Sequence, residues 1–200
     1  MGKRFSVSEL IARQEEVSRE TEQVFWQLTS EQLNWKPSPE EWSVAQCFEH
    51  LIATNRPYFP VIEKIIKGEK KASVWERVPI LTGFFGPFII SAVDPKNVKK
   101  FGARPGFIPS SSAIDAKIIN EFVETQNRLI ELMQQTVNLP VQKIIVTSPV
   151  ASVFTYSLLD AYTIMALHNR RHFNQAKRVM ESQGFPAAVK KSPDYTGAGI

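Results

Sequence analysis

His168 and His172 stand four residues apart in a segment of helical apolar spacing, Ala166-Leu167-His168-Asn169-Arg170-Arg171-His172-Phe173-Asn174-Gln175. Four residues is about one helical turn, so both imidazoles project from one face, about 5–6 Å apart, and two neutral ring nitrogens at that spacing can chelate one ion. The chain has three histidines, and the third, His50, lies far upstream in an equally apolar setting, Cys47-Phe48-Glu49-His50-Leu51-Ile52-Ala53. Three imidazoles on apolar helix faces need polar partners, and a shared metal ion supplies them. The residues alone leave a second reading level with this one: His50 as a core histidine satisfied by a backbone carbonyl, with His168 and His172 on a polar helix edge. Gln46, Ala53, Thr54 and Pro57 share the face of His50, and these mostly small side chains leave space beside an ion, as an open coordination position requires.

The elements that must position these residues announce themselves by their caps. Ser6/Glu9, Ser43/Gln46, Ser112/Asp115 and Ser157/Asp160 each precede an apolar run of helical spacing and read as capping boxes, so four helices are expected. The first covers 7–28, with Leu10, Val17, Val24, Phe25 and Leu28 as its stripe. After a connector over 29–42 with Pro37 and Pro39, the second runs over 43–67 and ends at Gly68, with a kink or break at 55–59 because Pro57 and Pro60 each remove a backbone donor. The third covers 113–137 and the fourth 157–183, closed by Gly184 and Pro186. More than forty residues separate the second helix from the third, too many for a bare connection. Residues 74–93 are therefore read as a short extra helix rich in Trp75, Phe84, Phe85 and Phe88, and 103–109 as an extended loop. The aromatic cluster could line a pocket mouth, cover the helices or form a dimer interface. Ile144 to Thr147 is β-prone but lacks an evident partner, so a packed extended connector is expected.

Composition narrows the function classes. The net charge of +4 is spread among acids without a basic stripe, which argues against nucleic-acid binding. The lysine clusters at Lys67, Lys70 and Lys71 and at Lys96, Lys99 and Lys100 read as solvated surface. The apolar run over 80–93 is about 14 residues against the ~20 of a membrane span, and Gly83, Gly86 and Pro87 interrupt it, so no membrane association is expected. One cysteine, Cys47, and a charged N-terminus without an apolar signal region point to a reducing cytoplasm.

Trp35-x-Pro37, Glu40-Glu41 and Trp42-Ser43-Val44-Ala45-Gln46-Cys47-Phe48-Glu49-His50-Leu51 together look like the second-helix signature of the DinB-like superfamily. His168-x-x-Arg171-His172-x-x-Gln175, followed by Gly184-Phe185-Pro186, resembles its last helix. The resemblance spans 7–186 and implies an all-α four-helix bundle with a long crossover connection between helices 2 and 3 carrying a short extra helix. A single domain over 1–186 and a loosely ordered tail over 187–200 are expected. The resemblance also implies a divalent metal ion, zinc or nickel favoured, held by one histidine of the second helix and two of the fourth: here His50, His168 and His172. The family's habits lean toward a homodimer.

For the reaction, the resemblance implies one of three readings, each with a small-molecule ligand. The first is transfer of a low-molecular-weight thiol to an electrophile. The second is hydrolysis by metal-bound hydroxide, and the third is a non-catalytic metal or ligand site. The sequence offers no convincing general base, since Glu49 points about 100° away from its neighbour His50, and this favours thiol transfer. Cys47 reads as a small buried apolar residue in preference to a ligand. Gln175 and Asn169 read as solvated helix-edge residues in preference to groups that orient the ligands, and Trp42 as an anchor of the connector.

Overall fold

The computed structural model describes residues 5–73, 76, 79–97, 106–110 and 113–187, the side chains of 79–83 excepted. Helix α1 (Val7–Phe25) begins at a complete capping box, in which Ser6 Oγ accepts from the Glu9 amide and the Glu9 carboxylate accepts from the Ser6 amide. It stops three residues short of the expected end. Thr29 and Gln32 form another reciprocal box and start a short helix, α2 (Ser30–Asn34), inside what reads as a connector. Helix α3 (Val44–Asn55) begins at the Ser43/Gln46 box. The expected break follows as a 3₁₀ turn, Arg56–Tyr58, and the chain resumes as α4 (Phe59–Ile66). Pro57 and Pro60 each sit in the first turn of their segment, where a missing N–H costs nothing. Gly68 closes α4 at φ +71°, a conformation open to glycine.

The crossover carries α5 (Pro79–Val93), 15 residues long with Pro87 inside it. Its aromatics divide. Phe85 turns inward onto Phe154 with ring centroids 4.8 Å apart, while Phe84 and Phe88 are exposed and stack on each other. Trp75, assigned to the same aromatic cluster, lies outside the described residues, as do Ser112, Lys99, Lys100, the first part of the 103–109 loop and nearly all of the tail. Gly86 is buried against Asp160, and a Cβ there would lie 2.7 Å from Asp160 Oδ2.

Helix α6 (Ile118–Gln134) starts five residues later than 113, because the Asp115 carboxylate accepts from the Lys117 amide in a turn ahead of the helix instead of capping it. Ile144 to Thr147 is also more than a connector. Strand β1 (Ile145–Thr147) pairs antiparallel with β2 (Thr155–Ser157), Val146 opposite Tyr156. The partner strand hides in sequence because Ser157 doubles as the cap of α7 (Leu158–Met180), its Oγ accepting from the Asp160 amide. The Glu76 carboxylate ties the hairpin to the crossover by accepting from the Thr147 amide and hydroxyl. Past α7, Gly184 takes φ +87° as its place after the helix requires.

Among the described residues the chain is therefore mostly α-helical, with one small hairpin. Helices α1 and α3 each pack on both α6 and α7, and α5 lies on α7 and β2. The core has two apolar halves, one around Leu10, Ile62, Leu129 and Tyr162, the other around Phe25, Phe48, Phe122 and Phe173. Buried amides from four helices separate them. Asn169 accepts from Asn55 Nδ2 at 2.9 Å and donates to Gln14 Oε1 at 2.9 Å and Gln126 Oε1 at 3.2 Å. Side-chain amides buried in this way fix the rotation of each helix, since a turned helix would strand them unpaired. Asn169 is thus a fully buried lock between His168 and the rest of its turn, not the solvated edge expected of it. Among the described residues no helix is long and apolar enough to cross a membrane.

Candidate metal centre

His50 projects from the middle of α3, and His168 and His172 from the facing turns of α7. The three Nε2 atoms converge: His168 Nε2 lies 3.3 Å from His50 Nε2 and 3.1 Å from His172 Nε2. His50 and His172 are buried at 6 % and 9 % exposure and His168 is partly buried, which rules out a polar helix edge. Among the described residues these three form the one group of His, Cys, Asp and Glu side chains placed to hold an ion.

The far side of two rings decides their tautomers. His50 Nδ1 meets the Phe107 carbonyl at 2.7 Å and His172 Nδ1 meets Gln175 Oε1 at 2.9 Å. Both oxygens only accept, so each Nδ1 carries the proton. Burial lowers the pKa of all three histidines. For His50 the Phe107 carbonyl partly opposes it. His168 is pushed well below the ordinary value by burial, with His172, His50 and Arg171 adding to it. His172 falls to about 3, again through burial first and then His50. At neutral pH each ring therefore holds one proton, and His50 and His172 turn bare Nε2 lone pairs toward the centre. His168 can offer a proton to one of them only. The other lone pair is then left without a donor, and with the His168 proton on Nδ1 all three lone pairs face one another, an arrangement that a cation relieves. Tetrahedral ligands at ~2.0–2.1 Å from an ion stand ~3.3 Å apart, close to the separations found.

The surroundings support the rings. Trp42 stacks on His172 at 5.5 Å and 20° and leans on His50 at 4.9 Å, so it anchors the connector directly on the site. Gln175, read from sequence as solvated, orients His172; its position three residues on, on the same face, was the available signal. The Phe107 carbonyl arrives from the crossover and had no sequence signal. Glu49 points away, its carboxylate accepting from the Ser110 amide at 2.6 Å. Cys47 is fully buried, and burial pushes its thiol up to about 12, so it packs as an apolar residue. The histidines open on a cavity of about 870 Å³, whose lining includes Glu40, Glu41, Arg178, Tyr58, Phe154 and Tyr156.

Fold and site together define a mostly helical protein with three neutral imidazoles gathered at a cavity, a cluster able to hold a metal ion. The chain matches the DinB superfamily over residues 14–176 and belongs to that superfamily. No curated protein and no solved structure matches it.

Two predictions arise here. Gln175→Leu removes the acceptor that holds His172 in its ligand tautomer, and metal affinity is expected to fall about 10–100-fold in competition against a chelating dye. An unchanged affinity would mean that the Gln175 contact is incidental. The second concerns pH in chelator-treated protein. The folded histidines lie below their unfolded value near 6.5, so between the two the unfolded chain binds more protons and stability falls with falling pH. Each histidine contributes a slope of up to about 1.4 kcal/mol per pH unit. The urea midpoint should be flat above pH 7 and drop steadily from pH 6.5 to 5; a midpoint constant over that range contradicts the neutral triad.

Proposed function

We propose that His50, His168 and His172 hold a divalent cation, zinc or nickel, within a DinB-type four-helix bundle formed by α1, α3, α6 and α7. The protein then acts as a transferase that joins a low-molecular-weight thiol to an electrophilic small molecule. The observation that carries the reading is the convergence of three Nε2 atoms while His50 and His172 commit their Nδ1 protons elsewhere. Bound there, the ion supplies Lewis acidity, which favours the thiolate form of a sulfur nucleophile near neutral pH. The chain's own residues do the rest. Phe107 and Gln175 fix the imidazoles, Trp42 shields their outer faces, and the cavity holds the electrophile beside them. Thiol transfer asks for no carboxylate at the site, in keeping with a ligand group that is all histidine and with Glu49 turned to Ser110.

Hydrolysis is the second reading, and exposed Glu40 and Glu41 on the same cavity favour it as groups that could pass a proton. The test is consumption of 1-chloro-2,4-dinitrobenzene by metal-loaded protein with and without bacillithiol or mycothiol, beside hydrolysis of p-nitrophenyl acetate. Acceleration that needs both metal and thiol supports transfer. Metal-dependent ester cleavage without thiol moves the assignment to hydrolysis, and metal bound without either activity makes the site non-catalytic.

A further inference from the structure

The cavity has a second chemical feature that the metal reading does not use. Tyr58 ends the 3₁₀ turn that follows α3, eight residues beyond His50, and both line the cavity. Its hydroxyl is hydrogen-bonded to the hydroxyl of Tyr156, and the Ser148 side chain lies beside both. All three line the cavity, and Tyr58 and Ser148 each keep 4 % of their surface open. The walls around them are apolar, made by Ile89, Val93, Val150, Phe154, Ile164 and Met165. Packing alone would be met by phenylalanine and alanine, and three hydroxyls set in an apolar wall cost desolvation that hydrogen bonds only partly return. Burial raises both tyrosine pKa values, so the cluster presents neutral O–H groups. With all three hydroxyls neutral and the walls around them apolar, an uncharged ligand gives up least hydration on entering this part of the cavity, where Arg171, which also lines it, already donates to the Asp94 and Asn97 carbonyls.

We propose that this lobe is a binding subsite for an uncharged, largely apolar small molecule that bears one hydroxyl or carbonyl group, which Tyr58, Tyr156 and Ser148 recognise. The inference rests on the proposed function only for its use: a substrate anchored there extends toward the three histidines, whose reacting end then receives the thiol. Binding itself needs no metal.

Benzyl alcohol, its isostere ethylbenzene and benzoate are the probes, titrated into isotope-labelled protein while the Ile164 and Met165 methyl signals are followed. Benzyl alcohol should shift those methyls and bind more tightly than benzoate, equally in chelator-treated protein, metal-loaded protein and His50→Ala. In Tyr58→Phe and Ser148→Ala its affinity should fall about five- to tenfold, while that of ethylbenzene holds or rises. Benzoate binding more tightly, methyls that do not move, or variants that weaken both neutral probes alike would each overturn the subsite. A protein that takes up no metal yet binds benzyl alcohol in this pattern would refute the metal reading and leave the subsite standing.

Discussion

His168→Ala protein, purified without a histidine tag or chelator, should contain less than about a tenth of a divalent ion per chain, against about one in the unaltered protein. His168 sits at the centre of the cluster, its Nε2 within 3.3 Å of both partners, so its removal deletes a donor and separates the other two. The loss should exceed the about 10–100-fold expected from removing a supporting partner such as Gln175. It should appear without unfolding, because His168 lies at the cavity and the amide lock at Asn169 stays in place. Metal analysis of both proteins, with circular dichroism to verify helix content, decides the matter. Equal metal in the two would show that the imidazoles do not act together, whatever ion is present.

Phe48→Ala is expected to cost about 3–5 kcal/mol, a large share of the stability of an ordinary domain. Phe48 is fully buried between Phe25, at 5.0 Å and 72°, and Phe122, at 4.9 Å, so truncation empties a space that three helices enclose. It stands two residues before His50 on α3, and its ring faces the core while the imidazole faces the cavity. The ligands themselves are unaltered. Added zinc should therefore restore part of the lost urea midpoint, by an amount that rises with the logarithm of metal concentration. A change below ~1 kcal/mol would mean that α3 is not held by this aromatic cluster. A normal loss without rescue by zinc would separate the fold from the proposed metal site.

Much of the site was legible in the sequence, for a local reason. Helix starts are written in short patterns: Ser6/Glu9 and Ser43/Gln46 form the reciprocal bonds their spacing requires, and one helical turn between His168 and His172 fixes a shared face. Proline and glycine are equally local in effect, so the 3₁₀ break at Pro57 and the turns at Gly68 and Gly184 followed from single residues. The start of α6 did not, because Ser-x-x-Asp also occurs where an aspartate closes a turn. The hairpin did not either, because a three-residue strand is defined by its partner.

The sequence by itself determined which residues carry nitrogen donors, which helices carry them and on which face. Only the tertiary structure decided that the faces meet. The amides of Gln14, Asn55, Gln126 and Asn169 pair only in one rotation of four helices, and the Phe107 carbonyl and Gln175 set the tautomers that leave two lone pairs bare. Those contacts join residues up to 155 positions apart. Side-chain spacing along one helix follows from backbone geometry, but the angle between helices is a property of the packed whole, where polar groups from several helices must meet at once.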